Sequence, residues 1–335
     1  MRSICARALV AVALCAAGAA GAQTAVLYGL LDASGTRIKP VGGDDYVLRL
    51  TNGNMQTSFI GVRGSEDLGG GLRGVFRLES YLRVDVGGAG RDIGDAFWAR
   101  EASAGLSGSF GTTVLGRTPT PLWLATTSFN PFGESLGFSP TVRQYWGGAM
   151  LGDTRWNNSI WYTNNARDPL RVVFSANADE TTPAGSNGHN LGLSIAYITG
   201  PFAATIVAER VRNSAEPVPA GFERQTVWHA GATYDFQFIR VYGQAGRIKT
   251  EAAEDSTTTS YQLGVAVPFG TSLVLVAYGH QHVSAPTKST TGSIGSIGYD
   301  YFLSKRTDIY VAATYEKLSS VSSGNSIAGG VRVKF

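Results

Sequence analysis

The sequence predicts an all-β fold, a 16-stranded antiparallel transmembrane β-barrel, and three observations lead to it. Apolar and polar side chains alternate with a period of two along most of the chain. Short and long connections alternate between the segments so marked. No apolar run after residue 22 reaches the ~20 residues that a membrane-spanning helix needs.

The first 22 residues read as a separate export leader. Arg2 and Arg7 form a positive start, an apolar run covers 8–20, and Ala20-Gly21-Ala22 is a small-residue cleavage site. Both cysteines, Cys5 and Cys15, fall inside it, and Leu14 is too large for the residue preceding a lipoprotein cysteine. The processed domain, 23–335, therefore has no cysteine and relies on backbone pairing and packing. Removing Arg2 and Arg7 from the 28 basic residues leaves 26 against 25 acidic ones. Near-neutrality argues against nucleic-acid binding through bulk charge.

From Thr24 onward the alternation is plain. Within 71–85, Leu72, Phe76, Leu78, Leu82 and Val84 are apolar, while Arg73, Arg77, Glu79, Arg83 and Asp85 are charged. That is a strand with one apolar face and one very polar face. The pattern recurs at Leu191/Leu193/Ile195/Tyr197, Tyr261/Leu263/Val265/Val267, Ile309/Val311/Ala313/Tyr315 and Ile327/Val331/Val333/Phe335. Short turns fall at 65–70, 107–110, 164–168, 199–201, 235–237, 268–271 and 304–306. Longer loops fall at 39–46, 86–95, 118–152, 178–190, 212–224, 249–257, 283–291 and 317–324. Seven turns and eight loops separate sixteen strands, with all the short connections at one end, the layout of an outer-membrane barrel. Aromatic residues near strand ends, among them Trp98, Trp161, Tyr197, Trp228, Tyr234, Tyr278, Tyr299 and Tyr310, are candidates for interfacial girdles.

A sheet in hydrocarbon must close on itself, because an unpaired backbone group there finds no partner. Sixteen strands enclose more space than side chains can fill, which leaves an aqueous lumen and explains charged inward faces. A soluble sandwich or propeller would also have one wet face. The many arginines opposite the apolar face and the alternation of turn lengths argue against it.

One stretch breaks the pattern. Residues 118–152 carry prolines at 119, 121, 131 and 140 and keep no steady period. Structureless connections this long are uncommon. This one is rich in Leu, Phe, Trp and Tyr, unlike disordered segments. It reads as an ordered loop packed inside the barrel.

Several motifs resemble the Gram-negative trimeric porins, especially those of the Burkholderia, Bordetella and Neisseria type. They are Ala25-Val-Leu-Tyr-Gly-Leu-Leu-Asp32, Gly61-Val-Arg-Gly-Ser-Glu-Asp-Leu-Gly-Gly-Gly-Leu72 and Gly105-Leu-Ser-Gly-Ser-Phe-Gly111 followed by Leu115-Gly-Arg117. Asn157-Asn-Ser-Ile-Trp-Tyr162 and Gly330-Val-Arg-Val-Lys-Phe335 complete the set. The resemblance implies a general diffusion porin of the outer membrane that passes small hydrophilic solutes and ions. It further implies a homotrimer, and a third loop, 118–152, folded into the lumen as a constriction. Phe59 stands where relatives often have arginine.

Strand parity puts Arg63, Arg73, Arg77, Glu79, Arg100, Arg117 and Arg155 on the wet face, and the loop contributes Glu134 and Arg143. The resemblance implies that Arg63, Arg77, Arg100 and Arg117 face the loop. The expected constriction set is thus Arg63, Arg77, Glu79, Arg100, Arg117, Glu134, Arg143 and Arg155. Opposed charges across a narrow passage set up a transverse field, and an excess of arginine favours anions.

Nothing points to an enzyme or a cofactor. There is no Gly-x-Ser-x-Gly elbow and no His-Glu-x-x-His. His280 and His282 share a strand face without a third ligand nearby, so a rim position is expected rather than a metal site. The competing reading is a substrate-specific channel for a sugar or organic acid, with Trp123, Phe129, Phe132, Phe138, Tyr145 and Trp146 as an aromatic ladder.

Overall fold

The computed structural model describes residues 24–165, 169–178, 189–212, 214 and 217–335. The expected leader lies outside the described residues, as do parts of the expected connections at 164–168, 178–190 and 212–224.

Sixteen staves form the sheet. β1 is Thr24–Lys39, and β2 runs in two segments, Val47–Asn52 and Phe59–Gly69. β3 is Leu72–Arg83, β4 Glu101–Gly108, β5 Gly111–Pro119 and β6 Arg155–Thr163. β7 is Leu170–Asn177, β8 Leu191–Thr199, β9 Phe202–Val211 and β10 Arg224–Asp235. β11 is Arg240–Glu251, β12 Ser256–Phe269 and β13 Ser272–Ser284. β14 is Ser289–Phe302, β15 Thr307–Leu318 and β16 Gly324–Lys334. Each pairs antiparallel with the next, and β1 closes the cylinder on β16 from Leu30 opposite Lys334 to Lys39 opposite Asn325. Gly29 and Phe335 exchange both backbone bonds at 3.1 Å, so the seam is paired to the last residue. Gly69, Gly70 and Gly71 all have positive φ (84°, 62° and 81°), which is why three glycines form the β2–β3 turn.

The two faces follow the alternation. On β12, Tyr261 and Leu263 are exposed while Ser260 and Gln262, which alternate with them, are buried. Outward apolar residues over a polar interior are what a spanning barrel requires. On β3, Arg77 and Glu79 point inward, and Leu78 shares the outward row of Val62 and Ala102. Exposed Tyr197, Tyr234 and Tyr299 ring the short-turn end, exposed Trp228 lies toward the long-loop end, and exposed Tyr278 sits at the middle of β13. Trp161 is not a girdle residue, because its register places it beside Val114 and the fully buried Ser175, on the inner face. Tyr310 is likewise buried inside and donates to Asp32 Oδ1 at 2.7 Å.

The 118–152 stretch is more regular than its sequence suggests. It holds α1, Pro121–Ser128, and α2, Pro140–Gln144, followed by a π-helical turn at Tyr145–Ala149. Thr120 and Ser139 cap the helices, accepting from Trp123 N at 3.1 Å and Val142 N at 3.4 Å. A capping hydroxyl followed by proline at the first helical position is a strong start signal, legible at Thr120-Pro121 and Ser139-Pro140.

The described apolar core lies between this stretch and the inner face of the sheet. One cluster joins Leu122, Tyr145 and Trp156 to Val207, Val227 and Ile248. The other joins Phe132 and Phe138 to Met55, Tyr242, Leu275 and Tyr310. Polar anchors add to them: the Thr141 backbone N–H donates to Gln262 Oε1 at 2.8 Å, and the Leu122 N–H donates to Glu209 Oε2 at 3.2 Å. Inward glycines make room. A Cβ on Gly231 would lie 2.8 Å from Phe129, on Gly264 2.7 Å from Pro131, and on Gly298 2.9 Å from Phe132.

Candidate functional site

Opposite that packed stretch, the inner faces of β1–β4 carry a connected charge network. Arg100 is positioned by the backbone just ahead of β4, where its N–H donates to Glu79 O at 3.2 Å. Its guanidinium bonds Glu79 and reaches both oxygens of Glu134 at 3.3 Å. Phe59 lies beneath it, with the guanidinium carbon 4.0 Å from the ring centroid. A face-on aromatic ring holds a cation by its quadrupole. The aromatic residue at 59 thus supports the neighbouring arginine instead of adding a charge of its own.

The network extends both ways. Tyr28 donates to Glu79, and Arg63 sits 4.8 Å over the Tyr28 ring. Arg77 bonds Glu101 at 3.1 Å and lies 4.0 Å from Glu79. Gln56 donates to Glu134 at 2.9 Å. Gln56 belongs to the break in β2 at 53–58, a bend absent from the expected strand. Asp32 holds that bend by accepting from the Met55 and Gln56 N–H groups at 2.8 and 2.7 Å. The loop tip docks there too, where Ser135 donates to Asn54 O at 2.6 Å.

Burial alone would lower the Arg100 guanidinium. Glu134 and Glu79 overcome that and raise it above the usual arginine range. A second cluster lies toward the long loops, where Asp153 accepts from Arg91 at 2.7 Å and from Arg117 at 3.0 Å. Burial alone would raise the Asp153 carboxyl, yet Arg91 and then Arg117 hold it down at about 2.

The structure sorts the expected residues. It brings Arg63, Arg77, Glu79, Arg100 and Glu134 together. Arg117 is a correction: it pairs with Ala102, in the outward row of Leu78. The β5–β6 register shifts between Gly116, at φ 129°, and Thr118, so simple alternation breaks at this arginine, which is satisfied by Asp153, Asn157 and Ala99 O rather than by the Glu79–Glu134 network. Arg155 is also corrected, because it is only 5% exposed, wedged between the Tyr81 and Trp123 rings at 5.4 and 5.3 Å. Arg143 stands apart from the network, paired with Glu316 on β15. Sequence reasoning missed Glu101, Tyr28, Gln56 and Asp153. No local signal ties residues so distant in the chain.

The loop aromatics are packing groups. Trp123, Phe129, Phe132, Phe138 and Tyr145 are each at most 6% exposed, and Trp146 is half-buried with its ring 5.6 Å from that of Trp123. His280 and His282 bond Ser293 and Thr291 at 3.0 and 3.4 Å, and among the described residues no group of three metal-ligating side chains forms.

Residues 8–320 match the Gram-negative porin family. The chain is a Gram-negative porin. It is 30% identical over 340 residues to outer membrane porin protein 32 of Delftia acidovorans, covering 97% of this chain and 93% of that one. An outer membrane porin of Bordetella pertussis is 26% identical over 386 residues, covering 97% and 98%. The solved anion-selective porin from Comamonas acidovorans superposes with a TM-score of 0.81 at 25% identity, over 94% of this chain and all of the other. This porin is accordingly an outer-membrane barrel serving passive diffusion, a channel by family.

Proposed function

We propose that the 118–152 stretch is this porin's constriction and that the passage beside it prefers small anions over cations. One observation carries the reading. Arg63 and Arg77 are open to water, Arg77 with 45% of its side chain exposed, whereas Glu79, Glu101 and Glu134 expose only 5%, 10% and 13%. A passing ion meets guanidiniums first, and the carboxylates are already committed to Arg77 and Arg100. The anion selectivity named for the Comamonas relative supports the same reading. No reaction, cofactor or metal enters it. Solutes are sorted by size and charge in a water-filled pore.

We further propose a homotrimer exported with a cleaved leader over residues 1–22. Small outward residues on β4, Ala102 and Ala104, grip lipid poorly and permit close approach of a neighbouring barrel. A detergent-corrected scattering mass of one chain would remove the trimer. The substrate-specific alternative has less support, since five of its six loop aromatics are buried against the wall and only Trp146 is partly exposed.

The test is the reversal potential in planar bilayers of an Arg63→Gln/Arg77→Gln double variant. A unit charge about 5 Å from an ion in water changes its energy by about 0.8 kcal/mol, with opposite signs for anion and cation. The double variant should therefore shift clearly toward cations, most at low salt, where screening is weakest. Unchanged selectivity at low ionic strength would remove these arginines from the passage.

A further inference from the structure

The inner wall next to this passage holds a cavity of about 220 Å³ lined by Val75, Val114 and Trp161 together with Arg77, Glu101 and Ser103. The strand register explains it. A row of inward positions crosses the wall as Val75, Gly105, Val114 and Trp161, all apolar. Gly105 leaves its floor without a side chain. The row above it carries Arg77 beside Ser103, and the row below carries Arg73 beside Ser107 and Thr112. Successive inward rows lie roughly 7 Å apart along a strand. An apolar strip thus runs between two arginine-bearing rows, on the short-turn side of Glu79 and Arg100.

The charges around the strip favour an anion. Arg63 is the direct cross-strand partner of Arg77, and like charges so placed repel unless an anion lies between or near them. Among the described residues neither Arg63 nor Arg73 has a carboxylate within 4.0 Å, and Arg73 bonds only the Ser65 hydroxyl at 2.5 Å. Glu101 is already held by Arg77 at 3.1 Å and by the Ser103 hydroxyl at 2.9 Å. The apolar strip asks for a flat hydrophobic body of one ring. An apolar cavity of about 150 Å³ is enough for benzene.

We propose that this cavity is a subsite for monocyclic aromatic carboxylates, the ring lying against Val75, Val114 and Trp161 and the carboxylate between Arg77 and Arg73. The proposal rests on the reading of the adjoining passage as the channel. Inorganic anions and short aliphatic carboxylates carry no body for the strip, and cations are repelled by the guanidiniums. The subsite would slow aromatic acids on their way through and give the channel a saturable component for that class alone.

The experiment is single-channel recording of the full barrel in planar bilayers, with benzoate and acetate as probes at equal concentration. Benzoate should interrupt the chloride current briefly and saturably, and acetate should not. Trp161→Ala should weaken the benzoate block about fivefold, the loss expected from one aromatic pair, and Trp161→Phe should largely restore it. Val75→Asp, which places a carboxylate in the apolar strip, gives an independent variant and should abolish the block. Ohmic channels that show no saturable block, or a block lost in Arg63→Gln/Arg77→Gln but untouched in both Trp161→Ala and Val75→Asp, would overturn the subsite while leaving the channel intact. A native chain that forms no ohmic channel would overturn the channel reading and the subsite with it.

Discussion

Gly246→Ala should loosen the loop from the wall. Gly246 lies on the inner face of β11, opposite His229 and Ser260, and a Cβ there would lie 1.8 Å from the Tyr145 hydroxyl. Tyr145 has no exposed surface. Its hydroxyl accepts from Ser260 Oγ at 3.0 Å and lies 3.2 Å from His229 Nδ1. The added methyl must expel that hydroxyl or move the wall. Overpacking of this kind costs about 1–3 kcal/mol, and each lost hydrogen bond about 1 kcal/mol more. A total near 3 kcal/mol raises the local opening equilibrium about a hundredfold. Hydrogen exchange reads that equilibrium directly, so the amides of 141–150 should exchange about a hundredfold faster, and single-channel traces should become noisier. Gly295→Ala is the matched control, because a Cβ there meets nothing within 4 Å. Equal exchange in the variant and the native chain, or equal acceleration by Gly295→Ala, would refute the idea that this glycine seats the loop.

Three further outcomes are expected. Leu263→Arg, at a lipid-facing position 70% exposed, should cost about 2–4 kcal/mol if it lies near the bilayer midplane and should lower folding yield into vesicles, whereas yield equal to native would misplace the membrane band. Asp153→Asn should lower the thermal midpoint by leaving Arg91 and Arg117 without their shared carboxylate. Because the folded Asp153 is depressed to about 2 from 3.8, its stabilisation is present above pH ~4 and lost as pH falls through about 2. The midpoint difference between native and Asp153→Asn should therefore be flat from pH 7 to 4 and shrink below, and its disappearance by pH 5 would contradict the ion-pair assignment. Glu134→Gln should strengthen anion preference by freeing the Arg100 guanidinium from its loop partner, and a shift toward cations in the reversal potential would reverse the assigned polarity.

Strand number, closure and the inside-out arrangement of faces were legible from the chain alone because period-two alternation is a local property. A residue's face on β3 or β12 follows from its neighbours at i−1 and i+1, and a one-residue slip would turn every apolar group into the lumen. The same rule was enough to put Arg63, Arg77 and Glu79 inside. It did not reach Arg117, because the ladder shifts register between Gly116 and Thr118 and the guanidinium goes to Asp153. Burial of Arg155 between Tyr81 and Trp123, the break of β2 at 53–58 and the inward turn of Trp161 depend on partners tens of residues away, about which alternation carries no information. The seat of the loop is the clearest case. Gly231, Gly246, Gly264 and Gly298 read in sequence only as gaps in strands, and become a groove when the barrel register brings Phe129, Tyr145, Pro131 and Phe132 against them. Close packing is a property of surfaces brought together from distant parts of the chain, so it exists only once the cylinder has closed.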